Sequence, residues 1–145
     1  MRNWALGPTI ALQEDALGLC HPNLYRDLFL NYTAEAVRHL GNCVVFHMHS
    51  TGFQNFRQVL RIPGLAGLQV TIEANGPPLA DLLPVFREIL EQSRLLLFVD
   101  HRFEELSGVL PHLPREGLYL AVPERCLGSE AAFLQFTRTF WPAKV

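Results

Sequence analysis

Two histidines one residue apart, His47 and His49, close the apolar run in "CVVFHMHS" (43–50). On a β-strand residues i and i+2 point to the same side, whereas on a helix they diverge. Cys43, Val45, His47 and His49 therefore share one side of a strand, and Val44, Phe46 and Met48 share the other. The second set is wholly apolar and is expected beneath helices. The first ends in two imidazoles that can give two nitrogens to one Zn²⁺, leaving room for a third ligand and an open position. Glu73, which closes "VTIE", and Cys126, just beyond a later strand, are the candidates for that third ligand. Glu73 also suits a general base. The same motif serves without metal as a hydrogen-bonded pair in a substrate pocket.

Further reactive groups follow the ends of strand-like runs. Asp15 follows the first and suits substrate binding or a loop cap. Asp100, with His101, ends "LLLFVD" and suits acid–base work or a helix N-cap. Arg125 follows the last strand, where it can meet a substrate carboxylate. His21, His39 and His112 lie on helix borders or faces and read as structural or solvated. Cys20 and Cys43 read as small buried hydrophobes.

The elements that must position these groups alternate. Strand-like runs are "PTIAL" (8–12), "CVVFHMH" (43–49), "LQVTIE" (68–73), "LLLFV" (95–99) and "LYLAV" (118–122). A helix-like segment follows each. The first spans 22–41 from Pro22 to Gly41, with Leu24, Leu28, Tyr32, Ala36 and Leu40 as its expected buried stripe. The second, "FQNFRQVLRI", follows Ser50 and Thr51 as N-caps and stops at Pro63-Gly64. In the third, "LADLLPVFREILEQ", Asp81 as N-cap places Pro84 in the first turn, where proline is tolerated. "RFEELSGVL" and "SEAAFLQFTRTFW", the latter capped by Ser129, complete the series. Strands that are apolar throughout belong to parallel sheets covered on both faces. Five βα units in a row imply an α/β fold, either an open doubly wound sheet or part of an eightfold barrel. No Gly-rich phosphate loop follows any strand, which argues against a nucleotide-binding Rossmann unit.

The chain has 145 residues, 49% of them hydrophobic and 18% charged, with a net charge of -2. It reads as a single domain over 1–145, and the charge offers no footprint for nucleic acid. No apolar run approaches the roughly 20 residues of a membrane span, and the N-terminus lacks a signal-peptide pattern. Three widely spaced cysteines without a CxxC suggest reduced thiols and a cytoplasmic location.

"EDALGLCHPNLYRDLFLNYTAEAVRHLG" followed by "FHMHSTGFQNFRQVLRIPGLAGLQVTIEANGPPLADLLPVFREIL" resembles the C-terminal part of the uroporphyrinogen decarboxylase superfamily. That superfamily includes the cobalamin-dependent and coenzyme M methyltransferases. The matching features are an acidic loop before a P-x-x-Y helix, a strand ending in His-x-(His, Cys or Asp), and the connector L-x-I-P-G-L-x-G-L-Q. They run in the family's order over about residues 9–141. The resemblance implies a partial (β/α)8 TIM-type barrel, the last five of eight units, with parallel strands.

Zinc methyltransferases of the superfamily carry His-x-Cys plus a later Cys. The resemblance thus implies a metal set of His47, His49 and Cys126, with His49 standing where a cysteine would be. Asp15 matches the acidic position of the family's loop and is expected to bind substrate with Arg125, while the strand-end positions of Glu73 and Asp100 make them the expected catalytic residues. The implied activity is zinc-dependent methyl transfer to a thiol from a corrinoid carried on a partner protein. Two alternatives are a decarboxylase-like lyase acting without metal on a porphyrinogen or another carboxylated small-molecule substrate, and a non-catalytic half-barrel. The half-barrel would associate with itself or with a separate N-terminal half.

Overall fold

The computed structural model describes residues 10–41, 44–73, 75–92, 95–99 and 101–141. The chain divides into two compact units, Met1–Gly76 and Pro77–Val145. The architecture is α/β, with five strands and parallel pairing in every ladder described.

The first unit holds β1 (Ile10–Gln13), β2 (Val44–His49) and β3 (Leu65–Thr71), paired in that order. A 3-10 turn, Asp15–Leu19, leaves β1. A helical run follows, made of α1 (Pro22–Leu24), a π-turn Tyr25–Phe29 and α2 (Leu30–His39). Between β2 and β3 lie a 3-10 turn, Ser50–Asn55, and α3 (Phe56–Leu60). Gly64, at a φ of 79°, turns the chain into β3, and the positive φ suits a residue without Cβ. The strand therefore starts at Leu65, earlier than the expected Leu68, and Ile72 and Glu73 lie beyond its ladder.

An irregularity near the start of β3 sets what faces where. Val44 pairs with Leu65 but Val45 pairs with Gly67, so Ala66 is an extra residue. A one-residue slip exchanges the two faces of a strand. Beyond it, Leu68 and Val70 align with Phe46 and Met48, and Gln69 and Thr71 align with His47 and His49. Leu68, Val70, Phe46 and Met48 are each at most 1% exposed. Burying a side chain of this kind contributes about 1.5–3 kcal/mol. Gln13 of β1 also pairs with His47, so a polar row of Gln13, His47 and Gln69 crosses three strands.

The stripe expected on the first helix is corrected. Leu24, Leu28 and Tyr32 are 45%, 54% and 73% exposed, while Tyr25, Thr33 and Val37 are buried. Two neighbouring stripes share the four-residue period, and the more apolar one faces outward. The inner one carries a polar contact. Tyr25 Oη lies 3.2 Å from Glu14 Oε2 and 3.1 Å from Thr33 Oγ1, and Thr33 donates to Glu14 Oε1 at 2.7 Å. The π-turn gives this run its wider first turn, with Leu30 N–H bonded to the Tyr25 carbonyl.

The second unit pairs β4 (Leu95–Val99) with β5 (Leu118–Ala121) in parallel. Around them are α4 (Leu83–Glu91), α5 (Phe103–Val109) and α6 (Glu130–Phe140). Pro84 does sit in the first turn of α4, although Asp81 belongs to a preceding 3-10 turn, Leu79–Leu82, and is not the cap. Ser129 caps α6, its Oγ accepting from Ala132 N–H. Phe86 of α4 and Phe98 of β4 meet edge to face at 5.0 Å, a geometry worth about 0.5–1.5 kcal/mol beyond area. Among the described residues no helix is long and apolar enough to cross a membrane.

Candidate metal centre

The site lies in the first unit, where β1, β2 and β3 end and their loops begin. His47 and His49 emerge on one side of β2, as their spacing requires. Their rings meet edge to face, 4.7 Å between centroids, with the two Nε2 atoms 3.0 Å apart. Asp15, two residues past β1, brings its Oδ1 to 3.4 Å from His49 Nε2. One ligand atom from each of Asp15, His47 and His49 lies within 4.8 Å of the others. Two imidazole nitrogens and one carboxylate oxygen suit a divalent first-row ion such as Zn²⁺.

Asp15 is held by its surroundings. Gln13 Nε2 lies 2.8 Å from both of its carboxylate oxygens. On one side of the turn, Glu14 is bound to Tyr25 and Thr33. On the other, the fully buried Asn55 donates to the carbonyls of Leu17 (3.1 Å) and Cys20 (3.0 Å), and Gln58 donates to that of Pro22 (2.8 Å). Both ends of the Asp15 turn are thereby fastened to other elements, an ordered support that loop ligands need.

Glu73 is the fourth member, and it stands behind the histidines rather than among the converging atoms. Its Oε1 lies 2.8 Å from His49 Nδ1. Ser50 Oγ donates to Oε2, and Thr51 Oγ1 lies 3.4 Å from Oε1. Burial pushes the Glu73 carboxyl up, but the bonds from Ser50, from its own backbone amide and from His49 outweigh it and leave it below the usual carboxylate range. The carboxylate is therefore the form at neutral pH. Ser50 and Thr51, expected as helix caps, make no cap bond and serve Glu73 instead. Two glycines make room for this group. A Cβ on Gly18 would lie 2.8 Å from Thr51 Oγ1, and one on Gly76 would lie 2.9 Å from Ser50 Oγ.

Arg125 and Cys126 lie in a 3-10 turn, Glu124–Cys126, of the second unit. Asp100 and Cys43 lie outside the described residues. His101 is buried and packs edge to face on Phe98 at 5.6 Å. His21 caps α1, its Nδ1 accepting from Asn23 N–H at 3.3 Å. Glu14, Gln13, Asn55, Ser50 and Thr51 are the supports the sequence reading passed over. Of these, only Ser50 and Thr51 carried a signal, by following the histidines directly.

No protein-family model, no curated protein and no solved structure matches the chain.

Proposed function

We propose that the chain is a zinc-dependent transferase of the uroporphyrinogen decarboxylase type, built on part of a (β/α)8 barrel and moving a methyl group from a corrinoid to a thiol. The observation that carries this reading is the convergence of Asp15, His47 and His49 where three parallel strands end. Barrels of this kind place their chemistry at that end of the strands. The motifs around His47 and His49 and the connector 60–69 support the same class.

His47 and His49 would hold the ion through Nε2, and Asp15 through a carboxylate oxygen. Bound Zn²⁺ would keep an open position for a thiol and lower its pKa, so that the thiolate is present at neutral pH. The negative charge on Asp15 balances part of the ion's charge. Gln13 and Thr71, on the same side of the sheet, offer hydrogen-bonding groups to a polar substrate. The test is metal content followed by methyl transfer from methylcobalamin to a small thiol. Zinc at about one per chain and turnover that disappears in His47→Ala would support the reading. A chain that takes up no Zn²⁺ at neutral pH would end it.

A second reading is that the chain works as a part-barrel covered by another polypeptide, either a copy of itself or an N-terminal half. The exposure of Leu24, Leu28, Phe29 and Tyr32 on one helical run favours it, together with Ile10 on β1, 38% exposed. Apolar groups clustered on a surface commonly mark an interaction site.

A further inference from the structure

We infer that Glu73 is the positioning residue of the histidine pair, holding His49 as the Nδ1–H tautomer so that its bare Nε2 faces His47 and Asp15. A neutral imidazole carries one N–H, and the partner of one ring nitrogen decides which. His49 Nδ1 has the Glu73 carboxylate at 2.8 Å, and an ionised carboxylate can only accept. Asp15 Oδ1 also faces the ring, but at 3.4 Å from Nε2, so the nearer Glu73 carboxylate favours the proton on Nδ1. His49 Nε2 is left with its lone pair directed at His47 Nε2, 3.0 Å away, and with Asp15 Oδ1 at 3.4 Å.

Three features show that Glu73 is itself held for this task. Ser50 and Thr51 donate to its two oxygens, one each, and so fix the plane of the carboxylate. Gly76 leaves the space that Ser50 and the Glu73 carbonyl occupy, each 2.9 Å from where a Cβ would be. Gly18 does the same for Thr51. The contacts that orient the ligand nitrogen all come from protein groups. Its consequence for an ion rests on the metal-centre reading proposed above. Outer carboxylates that orient a ligating histidine change metal affinity roughly 10–100-fold when removed.

The experiment has two arms, so that this inference and the metal-centre reading fail separately. The first is long-range ¹H–¹⁵N correlation on metal-free, ¹⁵N-labelled full-length chain at mildly alkaline pH. His49 is expected as the Nδ1–H tautomer, with mixed tautomers in Glu73→Ala and the Nδ1–H form retained in Glu73→Gln, which keeps an acceptor. An Nε2–H signature for His49 in the unsubstituted chain overturns the inference, as does an unchanged tautomer in Glu73→Ala. If Glu73→Ala does not fold, the unsubstituted chain decides alone. The second arm is titration with Co²⁺ followed by its visible bands. Glu73→Ala is expected to bind roughly 10–100-fold more weakly, and Glu73→Gln to lose less. Equal affinity in Glu73→Ala and the unsubstituted chain overturns the positioning role. An unsubstituted chain that gives no cobalt bands sinks the metal-centre reading instead, and the tautomer arm then decides the role of Glu73.

Discussion

Asp15 Oδ1 faces His49 Nε2 at 3.4 Å, joining the loop after β1 to the last residue of β2. The parallel register explains the meeting. Gln13 pairs with His47, so the chain two residues on from each strand position emerges at one level of the sheet. A carboxylate that reads in the sequence as a substrate or capping group is thereby brought beside the two imidazoles, where it could serve as a third donor to a metal ion.

Removing any one of the three donors should cost more affinity than removing an outer partner does. His47→Ala, His49→Ala and Asp15→Asn are each expected to weaken Zn²⁺ binding beyond the roughly 100-fold that bounds outer-partner losses. Cys126→Ser should leave it unchanged. Competition titration with a chromophoric chelator measures all four. Loss of binding in Cys126→Ser with full binding in Asp15→Asn would return the third position to the cysteine.

Close packing behind the site predicts a penalty for one added methyl. In Gly18→Ala the new Cβ would press on Thr51 Oγ1, 2.8 Å away, next to the group that holds Glu73. Overpacking of this kind costs about 1–3 kcal/mol. Urea denaturation should show that loss, and Zn²⁺ affinity should fall with it. Unaltered stability would mean that the turn carrying Gly18 moves freely away from Thr51.

Alkaline pH should destabilise the first unit through Tyr25. Burial is the main cause that holds its phenol above the ordinary value of 10.0, with the Glu14 charge adding to it and the Thr33 hydrogen bond opposing. A folded-state pKa above the unfolded one means the unfolded chain ionises first. The Tyr25 contribution is therefore complete below about pH 10 and is lost progressively above it. Denaturation midpoints across that range should fall less steeply in Tyr25→Phe. At neutral pH that variant should be less stable by about 1–3 kcal/mol, because Glu14 and Thr33 lose a partner. Equal alkaline slopes in the two chains would contradict the assignment.

The outward stripe on the first helical run separates folding from association. Leu28→Ser and Tyr32→Ser should change stability by no more than about 0.5 kcal/mol, as exposed positions do. The same changes should reduce self-association, or capture of an N-terminal half, measured by light scattering at low micromolar concentration. A chain that stays monomeric and takes up no hydrophobic dye, with or without the substitutions, would remove the case for a covering partner.

The sequence by itself determined the alternation of strands and helices, because apolar runs and capping residues are local signals. It also determined that His47 and His49 share a side of β2, since a period of two follows from strand geometry alone. Ser129 as a cap and Pro84 in a first turn were legible for the same reason. Contacts between distant segments were not. The slip at Ala66, which turns Gln69 to the side of His47, depends on how β3 registers against β2. Which residues of the first helix turn inward, and that Glu14 meets Tyr25 and Thr33 there, is a tertiary relation. Ser50 and Thr51 looked like caps because their hydroxyls can bond locally, and only folding brings Glu73 close enough to take those bonds instead. Asp15 reaches the histidine pair, and Glu73 stands behind it, through parallel pairing that sets three strand ends side by side, a relation that no local pattern of residues encodes.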